Sequence, residues 1–149
     1  MTENIFDRTL GVIISSNIKN QKIIINSIDK DWFNSIFHGA IFDAIKSIAN
    51  DNTHVDIMNI VQWLRNENRL EKDYTYKIAS LTTNVSVTDL LNVNSVINEC
   101  YYHYSVRQIS LVVQNVNNEL MSHSPNSQKI LKQLKKGQDI LTIKHNEQK

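Results

Sequence analysis

Glycine and proline are scarce in this sequence, which holds 3 glycines and 1 proline among 149 residues. Strand-rich folds need many tight turns, and tight turns favour these two residues. Helices joined by short polar segments need few of either. Since hydrophobic residues make up 41% of the chain, there is also enough apolar material for a core. The composition therefore predicts an all-α fold.

Apolar residues recur at helical spacing along most of the chain. The first run comprises Leu10, Ile13, Ile14 and Ile18. Later runs begin at Ile41 and at Ile57. Helix starts are marked by short polar residues, whose oxygen atoms accept from the open N–H groups of a first turn. We expect such caps at Asp56 and at Ser86, the latter at the start of the next long helical segment.

The longest pattern steps by four and three residues in alternation, as on one face of a long helix. Its members are Tyr102, Val106, Ile109, Val113, Val116 and Leu120. Pro125 interrupts the pattern and suits the first turn of a new helix, where its missing N–H has no partner to lose. Further apolar positions follow it, namely Leu131, Leu134 and Leu141. The pattern predicts a small helical head (1–87) followed by a long helical hairpin and the start of a linker (88–145), together one structural domain.

Charge is balanced overall but not along the chain. The formal net charge is +1, which gives no global attraction to nucleic acid or membrane. The segment after Pro125, however, holds six lysines and only two acidic residues. A charge run of this kind usually forms a solvated helix face. The alternative is a lysine-rich tail that binds nucleic acid.

No pattern for catalysis or for a cofactor is present. Gly11, Gly39 and Gly137 are far apart, whereas a P-loop needs a glycine-rich turn that surrounds phosphate with N–H groups. Cys100 and His103 share a helical face, but no further ligand completes a metal site. We expect no catalytic residue, no bound cofactor and no metal.

Cysteine content and hydropathy bear on where the protein resides. A single cysteine, Cys100, excludes an intrachain disulfide framework. The first residues do not read as a signal peptide, and no run approaches the roughly 18 apolar residues that a membrane span needs. We expect a cytoplasmic protein without membrane contact.

A histidine stands in the apolar stretch DWFNSIFHGAIFDAI, residues 31–45. His38 could bind a metal, transfer a proton or pack in the core. Because no other ligand or nucleophile lies near it in sequence, packing is the favoured interpretation. One ring nitrogen is then expected to bond to a backbone or side-chain group.

Several segments, in this order, resemble the N-terminal domain of DnaB-type replicative helicases. The opening Asp7-Arg-Thr-Leu10-Gly11 is similar to the first helix of that domain. A second match comprises Phe33, His38, Ile41, Phe42, Ala44 and Ile45. A third is Tyr76-Lys-Ile-Ala-Ser-Leu81. The ATPase domain that follows in these helicases, with its P-loop, has no counterpart in this sequence.

The resemblance implies a non-catalytic scaffold. In the family, the domain forms the collar of the helicase ring, pairs through its helical hairpins, and receives the C-terminal domain of primase or a helicase loader. It implies a dimer or larger ring, with weak or indirect contact to nucleic acid. Hairpin and oligomer contacts are expected at Tyr102, Val106, Ile109, Val113, Val116, Leu120, Leu131, Leu134 and Leu141. Arg107 and Lys135 are the expected partner-binding residues. The alternative is a free-standing accessory or decoy from a phage or mobile element that binds host helicase or primase.

Overall fold

The computed structural model describes residues 4–83 and 85–147, with side chains described up to Thr142. These residues contain eight α-helices, one short 3-10 helix and no strand, which confirms the predicted all-α fold. The α-helices are α1 (Ile5–Ser15), α2 (Ile18–Ser27), α3 (Ile36–Asn50), α4 (Ile57–Asn66), α5 (Tyr74–Leu81), α6 (Val87–Leu91), α7 (Val93–Leu120) and α8 (Ser127–Glu147). The 3-10 helix, Lys30–Trp32, lies between α2 and α3.

The chain forms two compact units. The first, Met1–Tyr101, is called the head unit below, and the second, Tyr102–Lys149, is called the hairpin unit. Helix α7 runs through both, since it begins at Val93 and ends at Leu120. The predicted division into residues 1–87 and 88–145 stays a prediction of domain organisation.

Asp56 and Ser86 both cap helices, but Ser86 begins the five-residue α6 and not the predicted long helix, since α7 begins at Val93. The Asp56 carboxylate accepts from the N–H of Asn59 at 2.8 Å. The Ser86 hydroxyl oxygen accepts from the N–H of Asp89 at 3.1 Å. Both bonds are local, so the residue type at the cap is enough to predict them.

The first apolar run is divided between two helices. Helix α1 ends at Ser15, and Asn17 caps α2 by accepting from the N–H of Asn20 at 2.8 Å. Serine and asparagine side chains compete for backbone hydrogen bonds and favour helix ends. The helical spacing of Ile18 from Leu10 therefore does not reflect one continuous helix.

Helix α8 begins two residues later than Pro125 would place it. Its first residue is Ser127, and the side-chain oxygen of Asn126 accepts from the N–H groups of Gln128 and Lys129 at 2.9 and 3.2 Å. Asparagine offers an acceptor that proline lacks. The cap, rather than the proline, sets the start of this helix.

The core of the head unit is formed by the apolar faces of α1, α3, α4 and α5, together with buried residues of α2 and of the start of α7. Its completely buried side chains include Leu10, Ile13, Ile41, Ile45, Ile60, Leu64 and Ile78. Burying one such side chain contributes about 1.5–3 kcal/mol. The faces defined by helical periodicity are therefore the faces that pack together.

The amide side chain of Gln21 is completely buried in this core. Its amide nitrogen donates to the carbonyl oxygens of Ile13 and Val55 at 3.0 and 2.8 Å. Its amide oxygen accepts from the N–H of Val55 at 2.9 Å. Burial is tolerated because each polar atom is paired. Gln21 thereby joins α1, α2 and the segment before α4.

Helix α1 passes so close to the end of α5 that position 11 has no room for a side chain. A Cβ built on Gly11 would collide with the carbonyl oxygen of Leu81 and would lie 3.0 Å from a γ-methyl group of Val85. The Leu81 oxygen belongs to the backbone, so it cannot rotate away. Glycine at this position sets the distance between the two helices.

We predict that Gly11→Ala lowers the free energy of unfolding by about 3 kcal/mol, because the added methyl group forces the helices apart. Urea unfolding followed by circular dichroism measures this. Gly39→Ala is the matched control, since a Cβ there meets only the flexible end of Lys30, at 3.4 Å. Its effect should be neutral, or stabilising by up to about 1 kcal/mol, because alanine favours helix. Equal effects of the two substitutions would contradict the close approach.

Arg8 links α1 to both α6 and α7. Its Nε and Nη2 atoms donate to the two carboxylate oxygens of Asp89 at 2.9 and 2.7 Å. Its Nη1 atom donates to Glu99 at 2.7 Å. The hydrogen bonds from Arg8 lower the pKa of Asp89, and the positive charge of Arg8 lowers it further. Burial of Asp89 has the opposite, smaller effect. The same hydrogen bonds raise the pKa of Arg8, because they stabilise its charged form.

We predict a pH dependence of stability that rests on Asp89. Because its pKa is lowered in the folded state, the unfolded chain takes up the proton first as the pH falls. The stabilisation is therefore present above the ordinary aspartate pKa of about 3.9 and is lost as the pH falls through the folded-state value. Asp89→Asn should cost roughly 2–3 kcal/mol at pH 7, and its unfolding free energy should fall less steeply between pH 5 and 3.

The control for this experiment is Glu71→Gln. Glu71 is exposed and forms no ion pair within the described part of the chain. Its removal should leave both the stability at pH 7 and the slope below pH 5 close to those of the unaltered chain. A parallel loss of stability at every pH in Asp89→Asn would disprove the proposed linkage.

Candidate interaction surface

His38 is held on both sides by hydrogen bonds in the head unit. Its Nε2 lies 2.6 Å from a carboxylate oxygen of Asp7, and its Nδ1 lies 2.7 Å from the Ser35 hydroxyl. An ionised carboxylate only accepts, so Nε2 carries the proton toward Asp7. The ring stacks on Phe37 at 5.4 Å and also lies near Phe33 at 6.2 Å. With both nitrogens engaged, His38 ties α1 to the start of α3 and is unsuited to bind a metal.

We predict that His38→Gln lowers the free energy of unfolding by about 1–2 kcal/mol, since it weakens two hydrogen bonds and removes ring packing. Chemical unfolding measures this, and metal analysis of the purified protein should be unchanged. His123→Gln, at an exposed position, is the control and should be nearly neutral. Loss of a bound metal on substitution of His38 would contradict its structural role.

Other candidates for chemistry are also accounted for by packing. Cys100 is completely buried. Across the described residues, no group of three or more His, Cys, Asp or Glu side chains is arranged to hold a metal ion. Two aromatic side chains of the head unit, Trp32 and Tyr101, pack edge to face at 5.0 Å. The head unit thus places these groups in its core.

The hairpin unit pairs the second part of α7 with α8 in antiparallel orientation. Gly137 is buried against α7, where a Cβ would lie 3.4 Å from Ile109 and 3.5 Å from Val112. Further along, the Asn115 amide donates to Gln133 at 3.2 Å. Gly137 therefore lies against the part of α7 formed by Ile109 and Val112, where a Cβ would make ordinary van der Waals contact with both side chains.

The predicted apolar stripe lies only partly between the two helices. Ile109 and Val116 are half-buried. The remaining candidates are 47–63% exposed, and they are Tyr102, Val106, Val113, Leu120, Leu131, Leu134 and Leu141. Ser105, Val112 and Gly137 are buried in their place. The face of α7 that carries the predicted stripe is therefore rotated to one side of the face that contacts α8.

The exposed part of the stripe borders an open apolar groove on the hairpin unit, about 580 Å³ in volume. The structure brings five predicted residues together around it: Tyr102, Val106, Ile109, Val113 and Leu141. Ser105, Ser110 and Gln114 complete the lining. Polar side chains are thus few, so the surface is suited to apolar contact rather than to catalysis.

The two predicted partner-binding residues are not brought together. Lys135 precedes the buried Gly137 by two positions, which at about 100° per residue turns it outward on α8. Arg107 lies a similar angle from the buried Ser105, on the outer side of α7. The guanidinium carbon of Arg107 lies 5.6 Å from the centre of the Tyr104 ring. A single partner would have to reach both sides of the hairpin unit to contact both residues.

Comparison with known protein families shows to which family this chain is related. A model described as the DnaB-like helicase N terminal domain matches residues 8–101. The chain belongs to this family. The DnaB-like match includes Arg8, Gly11 and His38 and stops at Tyr101, where the head unit also ends. No curated protein matches the chain.

Membership of this family confirms the predicted resemblance and supports a helicase N-terminal module. The DnaB-like N-terminal domain is non-catalytic, in agreement with core roles for His38 and Cys100. Among residues 4–83 and 85–147, no helix is both long and apolar enough to cross a membrane. The hairpin unit lies beyond the matched residues 8–101, so its role has to be inferred from its own exposed surfaces.

Proposed function

We propose that this chain is a protein-interaction and oligomerisation module of a replicative DNA helicase. In this role it pairs with further copies to form the N-terminal collar, and the collar receives primase or a helicase loader. Family membership supports the helicase context. The observation that carries the proposal is the open apolar groove on the hairpin unit.

The groove gives a physical reason for self-association. Tyr102, Val113 and Leu141 are each more than half exposed, and burying the exposed part of each would contribute about half of the 1.5–3 kcal/mol that a fully exposed side chain gains. Contiguous apolar surface of this kind marks interaction sites in folded proteins. An antiparallel helix pair can meet a second pair through the same face, because a two-fold axis brings identical patches together.

We predict that Val113→Asp disrupts the assembly, because pairing would bury a carboxylate without a partner. Sedimentation equilibrium should show at least a tenfold weaker self-association. Leu111→Asp is the matched control. Leu111 is 47% exposed on the same helix, close to the 52% of Val113, but it does not line the groove.

The two variants together locate the interface. Weakening by Val113→Asp alone supports pairing through the groove. Unchanged assembly in both variants would disprove it, and equal weakening in both would point to general destabilisation of α7. Circular dichroism on each variant should show unchanged helix content.

Docking of a partner is a separate step with its own test. Titration calorimetry of the assembled protein against the C-terminal domain of the primase from the same genome should show binding, and Arg107→Ala or Lys135→Ala should weaken it. Binding to the intact replicative helicase but not to primase would instead favour the accessory or decoy alternative. Absence of binding to primase, loader and helicase would disprove the docking role while leaving self-association intact.

A further inference from the structure

Charge is separated between the two units. Residues 1–101 hold nine lysines and arginines against twelve aspartates and glutamates, whereas residues 102–149 hold seven against three. The head unit is therefore acidic and the hairpin unit is basic. At ordinary ionic strength, the electric field of an exposed charge is screened within about 8–10 Å. The local arrangement of the lysines on the hairpin unit, rather than its net charge, therefore decides which ligand they attract.

Three lysines form a row on one face of α8, called the lysine row below. Lys129, Lys132 and Lys136 are spaced by three and four residues, which places them on the same side of a helix. All three are exposed. At 1.5 Å per residue, the row is about 10 Å long.

None of these lysines forms an ion pair with another described residue. The head unit differs, since Lys30 bonds to Asp43 at 2.7 Å and Lys77 bonds to Asp73 at 3.0 Å. The charges of the lysine row are thus available to a ligand.

Two carboxylates lie near the lysine row. The carboxylate of Glu119, at the end of α7, accepts from the backbone N–H of Asn126 at 2.8 Å and so offsets the positive end of the α8 dipole beside Lys129. Asp139 lies on the same side of α8 as Lys136. The positive field of the row is therefore greatest around Lys132, between these two negative charges.

The lysine row lies on the other side of α8 from the apolar groove. Leu141 lines the groove, whereas Lys132 and Lys136 are turned about 140–180° from it around the helix axis. Lysine and groove contacts can therefore be made at the same time.

The composition of the row favours phosphate over a protein surface. Cores of protein interfaces are rich in aromatic residues, methionine and arginine and are depleted in lysine. From Ser127 to Thr142, the side of α8 that carries the row has no exposed apolar side chain. Lysines without aromatic neighbours act as point charges on phosphates and do not read bases.

We propose that the lysine row binds the phosphodiester backbone of nucleic acid without sequence specificity. The complex is weak and salt-dependent. Each phosphate contact on a single strand contributes about −0.7 to the slope of log K against log salt, so three contacts give a slope of about −2.

The test measures fluorescence anisotropy of a labelled 20-nucleotide single strand with the full chain, at several salt concentrations between about 20 and 200 mM. The substituted chain carries Lys129→Gln, Lys132→Gln and Lys136→Gln. We expect at least about a tenfold loss of affinity at low salt and a slope reduced by about 2.

The matched control carries Lys19→Gln, Lys46→Gln and Lys72→Gln in the head unit. These lysines are exposed and lack ion pairs within the described residues, so the net charge changes by the same amount. Affinity retained in this control and lost in the first variant supports the lysine row. Equal losses would show a general charge effect and overturn it.

Polyglutamate of matched charge distinguishes nucleic acid from an acidic protein segment. Weaker competition by polyglutamate than by unlabelled single strand supports a nucleic-acid surface, and equal or stronger competition overturns it. No binding of the single strand at 20 mM salt also overturns the proposal. Sedimentation of the substituted chain should show unchanged self-association, so this test and that of the apolar groove give independent answers.

Discussion

The guanidinium of Arg8 is the interaction on which the arrangement of the head unit depends. It holds α1 against α6 through Asp89 and against the start of α7 through Glu99. Helix α6 has five residues, too few to be stable alone, so this pairing fixes its position. One turn further along α1, Gly11 allows contact with the backbone at the end of α5. The first helix is therefore the element against which later helices are placed.

The two units use their side chains differently. In the head unit, buried polar groups such as Gln21 and His38 are paired, and apolar side chains form a closed core. In the hairpin unit, apolar side chains line an open groove, and the lysine row forms no ion pair with another described residue. The hairpin unit thus presents two surfaces of different chemistry on opposite sides of α8. Such a unit is suited to hold a second copy on one side and a polyanion on the other.

Local features were predictable from sequence because they depend on neighbouring residues alone. The caps at Asp56 and Ser86 and the helical character of the apolar runs are of this kind. Gln21 was missed because its partners, Ile13 and Val55, lie 8 and 34 residues away. The contact of Gly137 with Ile109 and Val112 was missed for the same reason, since these residues lie 28 and 25 positions away in the sequence.

The sequence by itself determined that this protein is helical, where α4 and α6 begin, and which family it resembles, because periodicity, capping and order of segments are written in the chain. Only the tertiary structure decided which half of the stripe on α7 faces α8 and which half borders the groove. Periodicity defines a helical face to within about one residue, or 100°. The contact of Gly137 with Ile109 and Val112 resolves that angle, because it shows which residues of α7 lie against α8.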